Sequence, residues 1–225
     1  MSISETVRNR IIDAGGRFSA NDNICRFIRD GELDLLKKEV EGRVVSVLKS
    51  LVIDVENDPN VIETAERISR MFIDEVFAGR YQPEPRVAYF PNAKGLDDLM
   101  VVGPITLRST CSHHFAPITG DIWVGVLPSE TVIGISKFSR LVRWVASRPQ
   151  IQEDMAVQIA DLLEEKIHPR GLAIYIRGVH SCMTWRGVKD SNSEMITSVM
   201  RGTFRDNPAL RSEFMDIVKN GIRSR

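Results

Sequence analysis

The stretch "RYQPEPRVAYFPNAKG", residues 80–95, divides the chain into two kinds of pattern, and that division limits what it can fold into. Its three prolines remove backbone donors and fix φ, so neither a helix nor a central strand runs through it. Before it the apolar residues recur at helical spacing. Leu36, Val40, Val44, Val47, Leu48 and Leu51 define a helix over about 33–51. "VENDPN" ends that helix, and a second is expected from Thr64, as N-cap, to about Ala78. Its buried face is expected to be Ala65, Ile68, Phe72 and Val76, with Arg67 and Arg70 on another face. Residues 1–27 are polar and rich in Gly, Asn and Asp, and read as a loosely held arm.

After the prolines the period changes to two. "LMVVGPITLRST", "DIWVGVLP" and "TVIGIS" read as strands, as do "GLAIYIRGVHSCMTWRG" and "MITSVMRGTF". Between them lie a helix at 137–147 capped by Ser136 and another at 149–167 opened by Pro149; "PALRSEFMDIVKNG" closes the chain as a helix. This order predicts an α+β fold, an antiparallel sheet backed by a helix pair. The expected divisions are a flexible arm at 1–27, a helical hairpin at 28–82 and a sheet-forming domain at 83–225.

Chemistry concentrates in two short segments. "STCSHHFAPITG" holds Cys111, His113 and His114, and "GVHSCMTWRG" holds His180 and Cys182, so three of four histidines and two of three cysteines sit there. Thiolate and imidazole are zinc ligands, and three of them leave one tetrahedral position open, as at a catalytic site. Cys111, Cys182 and either His113 or His114 make such a set; a strand would present His113 and a turn His114. On a strand, His180 and Cys182 would share a face. An odd, widely spaced set of three cysteines is no disulfide framework, which fits a cytoplasmic protein with reduced thiols. Thirty basic residues balance thirty acidic ones, so no global field points to nucleic acid or membrane, and no run is long and apolar enough to span one. The N-terminus lacks the pattern of a secretory signal. An anion site must then be local. Lys137 and Arg140, three apart in the first turns of a helix, suit a phosphate, and Gln152 with Glu153 offers a carboxylate suited to a guanine edge.

Four stretches, "TCSHHFAPITGDIWVGVLP", "VIGISKFSRLVRWVASRPQIQE", "GVHSCMTWRGV" and "MRGTFRDNPALRSEF", resemble in order and spacing the signatures of GTP cyclohydrolase I. A weaker match in "ETAERISRMFIDEVFAGRY" extends the resemblance to roughly residues 30–218. It implies zinc-dependent hydrolysis of GTP to dihydroneopterin triphosphate and formate, on a tunnelling fold assembled into a barrel-forming homodecamer. It implies Cys111, His114 and Cys182 as zinc ligands, His113 as the acid/base at the purine imidazole, and His180 and Ser136 as helpers in later proton transfers. Lys137, Arg140 and Arg186 match residues around ribose and triphosphate, Gln152 and Glu153 the guanine-reading pair. Arg67 and Arg70 match a basic helix lent by a neighbouring subunit. The chain departs from the family at Ala65, where proline is common, at Glu66, where a basic residue or His is common, and at Ser112, where glutamate is usual. Two other readings are a nitrile reductase of queuosine synthesis on the same fold and a non-catalytic purine-binding zinc module.

Overall fold

Strand-forming and helix-forming stretches segregate as their periods dictate. The computed structural model describes residues 1–223 and has two compact units, Met1–Pro83 with Ser147–Pro149, and Glu84–Ala146 with the chain from Gln150 onward.

The first unit is helical. Where the sequence suggests an arm, α1 (Ile3–Asp13) forms, opened by a capping box in which Ser2 accepts from the Glu5 N–H and Glu5 accepts from the Ser2 N–H. Its Val7 and Ile11 pack with Ile24 and Phe27, and Arg10 donates from both Nη1 and Nη2 to the Glu32 carboxylate. That glutamate opens α2 (Glu32–Ser50), and α3 (Thr64–Arg70) follows. Thr64 is the first helical residue and not the cap expected of it; Glu63 holds the cap position. The helix then widens into a π-helical segment, Met71–Val76, and ends in the single turn α4 (Ala78–Tyr81). The buried positions are Ala65, Ser69, Ile73 and Phe77 in place of the expected 65, 68, 72 and 76; the shift begins at Ser69, within α3, and the spacing of four continues through the π-helical segment. A wider turn carries about one residue more than the 3.6 of an α-helix. Ser69 is buried at no cost in hydrogen bonding, because its hydroxyl donates to the Lys37 carbonyl.

The second unit is built on one antiparallel sheet. Its strands are β2 (Met100–Cys111), β3 (Pro117–Leu127), β5 (Pro149–Gln150), β6 (Gly171–His180) and β7 (Met195–Gly202), in the order β5-β2-β3-β6-β7. Two short strands, β1 (Tyr89–Pro91) inside the proline-rich stretch and β4 (Thr131–Ile133), pair separately. The alternation in the strands serves two cores. Ile122, Val124 and Val126 of β3 and Leu172, Ile174 and Ile176 of β6 join the cluster under α5 (Ile135–Ala146) and α6 (Gln152–Ile167). Trp123, Leu127, Ala173 and Tyr175 point the other way, onto Phe204 of α8 (Thr203–Asp206) and Phe214 and Val218 of α9 (Pro208–Arg223). The helix pair expected behind the sheet is present, and the closing helix covers the opposite face. Gly125 is what lets it close: a Cβ there would lie 2.7 Å from the Phe214 ring.

Three local expectations change. Ser136 lies inside the first turn of α5, which begins at Ile135. Pro149 belongs to an edge strand, and α6 starts at Gln152. The strand through His180 stops there, and Cys182 belongs to a helical turn, α7 (Ser181–Thr184), so the two do not share a strand face. Among the described residues no helix is long and apolar enough to cross a membrane.

Candidate active site at the β2–β3 turn

The antiparallel register brings two chain reversals to one end of the sheet. Strands β2 and β3 close at the pair Thr110 and Pro117, and Ile118, next along β3, lies opposite His180, the last residue of β6. Residues 112–116 are thus a hairpin connection, and α7 turns beside it.

Hydrogen bonds shape that connection. The Cys111 N–H donates to the Ala116 carbonyl and the Phe115 N–H to the Cys111 carbonyl, 2.9 and 2.8 Å, closing a tight turn. The Ser112 N–H donates to the Gln150 carbonyl at 3.2 Å, tying the turn to the edge strand. Phe115 is left at φ 52°, a left-handed conformation uncommon outside glycine. Because 111–114 is a turn, His114 is the histidine carried back towards Cys111. One donor atom each from Cys111, His114 and Cys182 lies within 4.8 Å of the others.

That donor set suits a soft or borderline divalent ion. Tetrahedral zinc, with Zn–S of ~2.3 Å and Zn–N of ~2.0 Å, sets its ligand atoms roughly 3.5–3.8 Å apart, a small side-chain adjustment from the geometry present. Burial pushes the Cys182 thiol above its usual range, and the adjacent Cys111 sulfur adds to the shift, partly offset by Arg186. The Cys182 thiol therefore resists ionising until a cation shares its sulfur. Cys111 is buried, Cys182 half-buried and His114 exposed, so the cluster opens outward on the histidine side. The His113 and His114 rings meet edge to face at 6.4 Å, with His113 exposed. Arg186 donates from Nη1 to His114 Nε2 at 3.0 Å.

His180 is the inner histidine. Burial lowers its affinity for a proton, and the Glu153 carboxylate partly opposes that. Its Nε2 lies 2.9 Å from Gln152 Oε1. Gln152 is 0% exposed, whereas Glu153, the next residue of α6, is exposed. Ser136, Lys137 and Arg140 stand on the first turns of α5, with Ser136 and Arg140 exposed and Lys137 half-buried. Arg67 and Arg70 belong to the first unit, on α3, where each is exposed and ion-paired four residues back, to Glu63 and Glu66.

Sequence reasoning passed over Gln150, whose carbonyl fastens the turn, and Gly178, against which the Gln152 side chain lies. Gly178 carried a signal, a glycine inside a β-branched run; Gln150 carried none, since its backbone does the holding.

Residues 40–219 match the GTP cyclohydrolase I family. The chain is 36% identical to the GTP cyclohydrolase 1 of Edwardsiella ictaluri (strain 93-146) over 190 residues, 84% of this chain and 86% of the relative. It is 37% identical to that of Shewanella loihica (strain ATCC BAA-1088 / PV-4) over 80% of this chain and 84% of the relative. For that of Histophilus somni (strain 2336) the identity is 34% over 95% of both. A crystal structure of the archaeosine synthase QueF-Like in the apo form is similar over 53% of this chain and 97% of its own. Its TM-score of 0.34 at 13% identity is too slight to bear on fold or function. With the family matched over most of its length and relatives this similar from end to end, the chain belongs to the GTP cyclohydrolase I family.

Proposed function

We propose that the protein hydrolyses GTP at C8 of the purine, opens the imidazole ring, releases formate and rearranges the remainder to 7,8-dihydroneopterin triphosphate. The observation that carries this reading is the convergence of one donor atom each from Cys111, His114 and Cys182 within 4.8 Å, in a chain of this family. Those three residues would hold zinc. Bound there, zinc supplies a Lewis acid that brings the pKa of water from ~15.7 toward neutrality. The chain's own groups do the rest. His113, exposed beside the metal ligands, exchanges a proton with N7 as water adds across the N7–C8 bond. His180 and Ser136 serve the later proton transfers of ribose opening and pterin closure. Glu153 accepts from the guanine edge. Lys137, Arg140 and Arg186 grip the triphosphate, which takes no part in bond breaking, so its binding holds C8 in place. Arg67 and Arg70 act on the triphosphate of a neighbouring subunit in a tunnelling-fold decamer. Two ligand thiols must stay reduced, which suits a cytoplasmic setting.

Incubation of the zinc-loaded protein with GTP should yield pterin fluorescence and one formate per GTP consumed. Cys182→Ser should lose most bound zinc and at least ~100-fold in turnover while keeping its circular dichroism. Normal turnover by metal-free Cys182→Ser would sink the zinc reading, and no formate from the loaded wild type would sink the activity itself. NADPH oxidation in place of formate release would point to nitrile reduction.

A further inference from the structure

The side chain of Gln152 is the most confined polar group near the candidate site. Its amide nitrogen donates to the Met195 carbonyl and to Thr197 Oγ1, both at 3.0 Å and both on β7. Its amide oxygen lies 2.9 Å from His180 Nε2. A peptide carbonyl can only accept, so the amide cannot be turned end for end without setting its oxygen against the Met195 oxygen. The oxygen therefore faces His180, and the imidazole nitrogen opposite it must carry a proton. A neutral imidazole has one N–H and one lone pair, so with Nε2 protonated the lone pair sits on Nδ1. Strand β6 leaves room for this arrangement: a Cβ at Gly178 would fall 2.2 Å from Gln152 Oε1. Gly178 also lies opposite Met195 across β6 and β7, so the carbonyl that orients the amide and the glycine that admits it share one register position.

We propose that Gln152 is a positioning residue: it fixes His180 as the Nε2-protonated tautomer with its ring held in one orientation, so that His180 exchanges protons with substrate through Nδ1. The proton exchange rests on the activity proposed above, whereas the tautomer lock does not. Both ends of the Gln152 amide are used inside the fold, so the recognition of guanine falls to Glu153, which is exposed at the next position.

The lock is read first on the zinc-loaded wild type, by long-range proton–nitrogen correlation of 15N-histidine-labelled protein, with His180 assigned by its loss in His180→Asn. A single population with Nε2 protonated is expected; Nδ1 protonated, or a mixture, overturns the proposal without need of any variant at 152. Gln152→Met, close in volume and without the amide, should then show both tautomers. Its kcat should fall about ten-fold or more with the KM for GTP within about three-fold, since a mispositioned acid–base group forfeits part of the ~10²–10⁴ such groups supply. A KM that rises with kcat unchanged would make Gln152 a base reader and overturn the positioning role. If GTP is not turned over while the tautomer is single in wild type and mixed in the variant, the lock stands and the proposed reaction fails. Turnover with an unlocked tautomer fails the lock alone.

Discussion

At the level of single residues, the pairing of Arg186 with His114 has a definite chemical meaning. A guanidinium keeps its protons at any ordinary pH, so at 3.0 Å the His114 Nε2 is the acceptor. A neutral imidazole has only one lone pair, and here Arg186 occupies it. A metal ion needs that same lone pair, so metal and Arg186 are alternatives at His114. Loading the metal must turn the arginine away, which frees its charge for the triphosphate it is proposed to bind. Because both side chains are exposed, the bond is worth only ~1 kcal/mol. Arg186→Ala should accordingly bind zinc about five-fold more tightly in competition with a chromophoric chelator. Unchanged or weaker affinity would show that the two do not compete. Glu66 is a departure the structure accounts for in part, since it ion-pairs with Arg70 at 3.8 Å.

Among the elements, α1 is where sequence and structure part most usefully. Only Ile3, Val7 and Ile11 of its apolar residues recur at helical spacing, in a polar stretch, and the glycines after it read as loop, so composition outweighed a Ser-x-x-Glu capping signature present all along. The helix is tied to α2 by Arg10, which, with the Arg29 N–H, holds the Glu32 carboxyl down to about 2. The folded value lies below the unfolded one, near ~4.3, so this contribution is present above that pH and is lost as pH falls towards 2. Glu32→Gln should therefore speed amide hydrogen exchange in α1 at pH 6, and the difference from wild type should vanish by about pH 2. Equal exchange at pH 6 would mean that the pair does not hold the helix. The strands and long helices were legible because their periods are sustained. The shift to positions 65, 69, 73 and 77 was not, since it begins at Ser69, a polar residue buried by its bond to the Lys37 carbonyl, which leaves no mark in an apolar pattern. The edge strand at Pro149 was hidden for a related reason: a proline before an amphipathic run reads equally well as a first helical residue.

Over the whole molecule, the sequence points to the residues whose donor atoms converge, Cys111, His114 and Cys182, but not to the reason they converge. Cys111 and Cys182 are about seventy residues apart, and they meet because the order β2-β3-β6 sets a hairpin turn beside the exit of a strand two places away. No local pattern records that adjacency; only the antiparallel register does. The coverage of both sheet faces was half visible, since the closing helix was evident but its place against Phe204 and Trp123 was not. The cluster also ties the order of the sheet to its chemistry. An ion shared by Cys111 and Cys182 would clasp the margins of three strands; having no such site in the unfolded chain, at a thousand times its dissociation constant it would add about 4 kcal/mol against melting. Stripping zinc with a chelator should lower the calorimetric midpoint, and Cys182→Ser should melt at one temperature whether zinc is supplied or withheld. A midpoint indifferent to zinc in the wild type would show that the clasp does not bear on the fold. With the clasp in place, heat resistance becomes a gauge of how much of a preparation is charged, readable before any substrate is added.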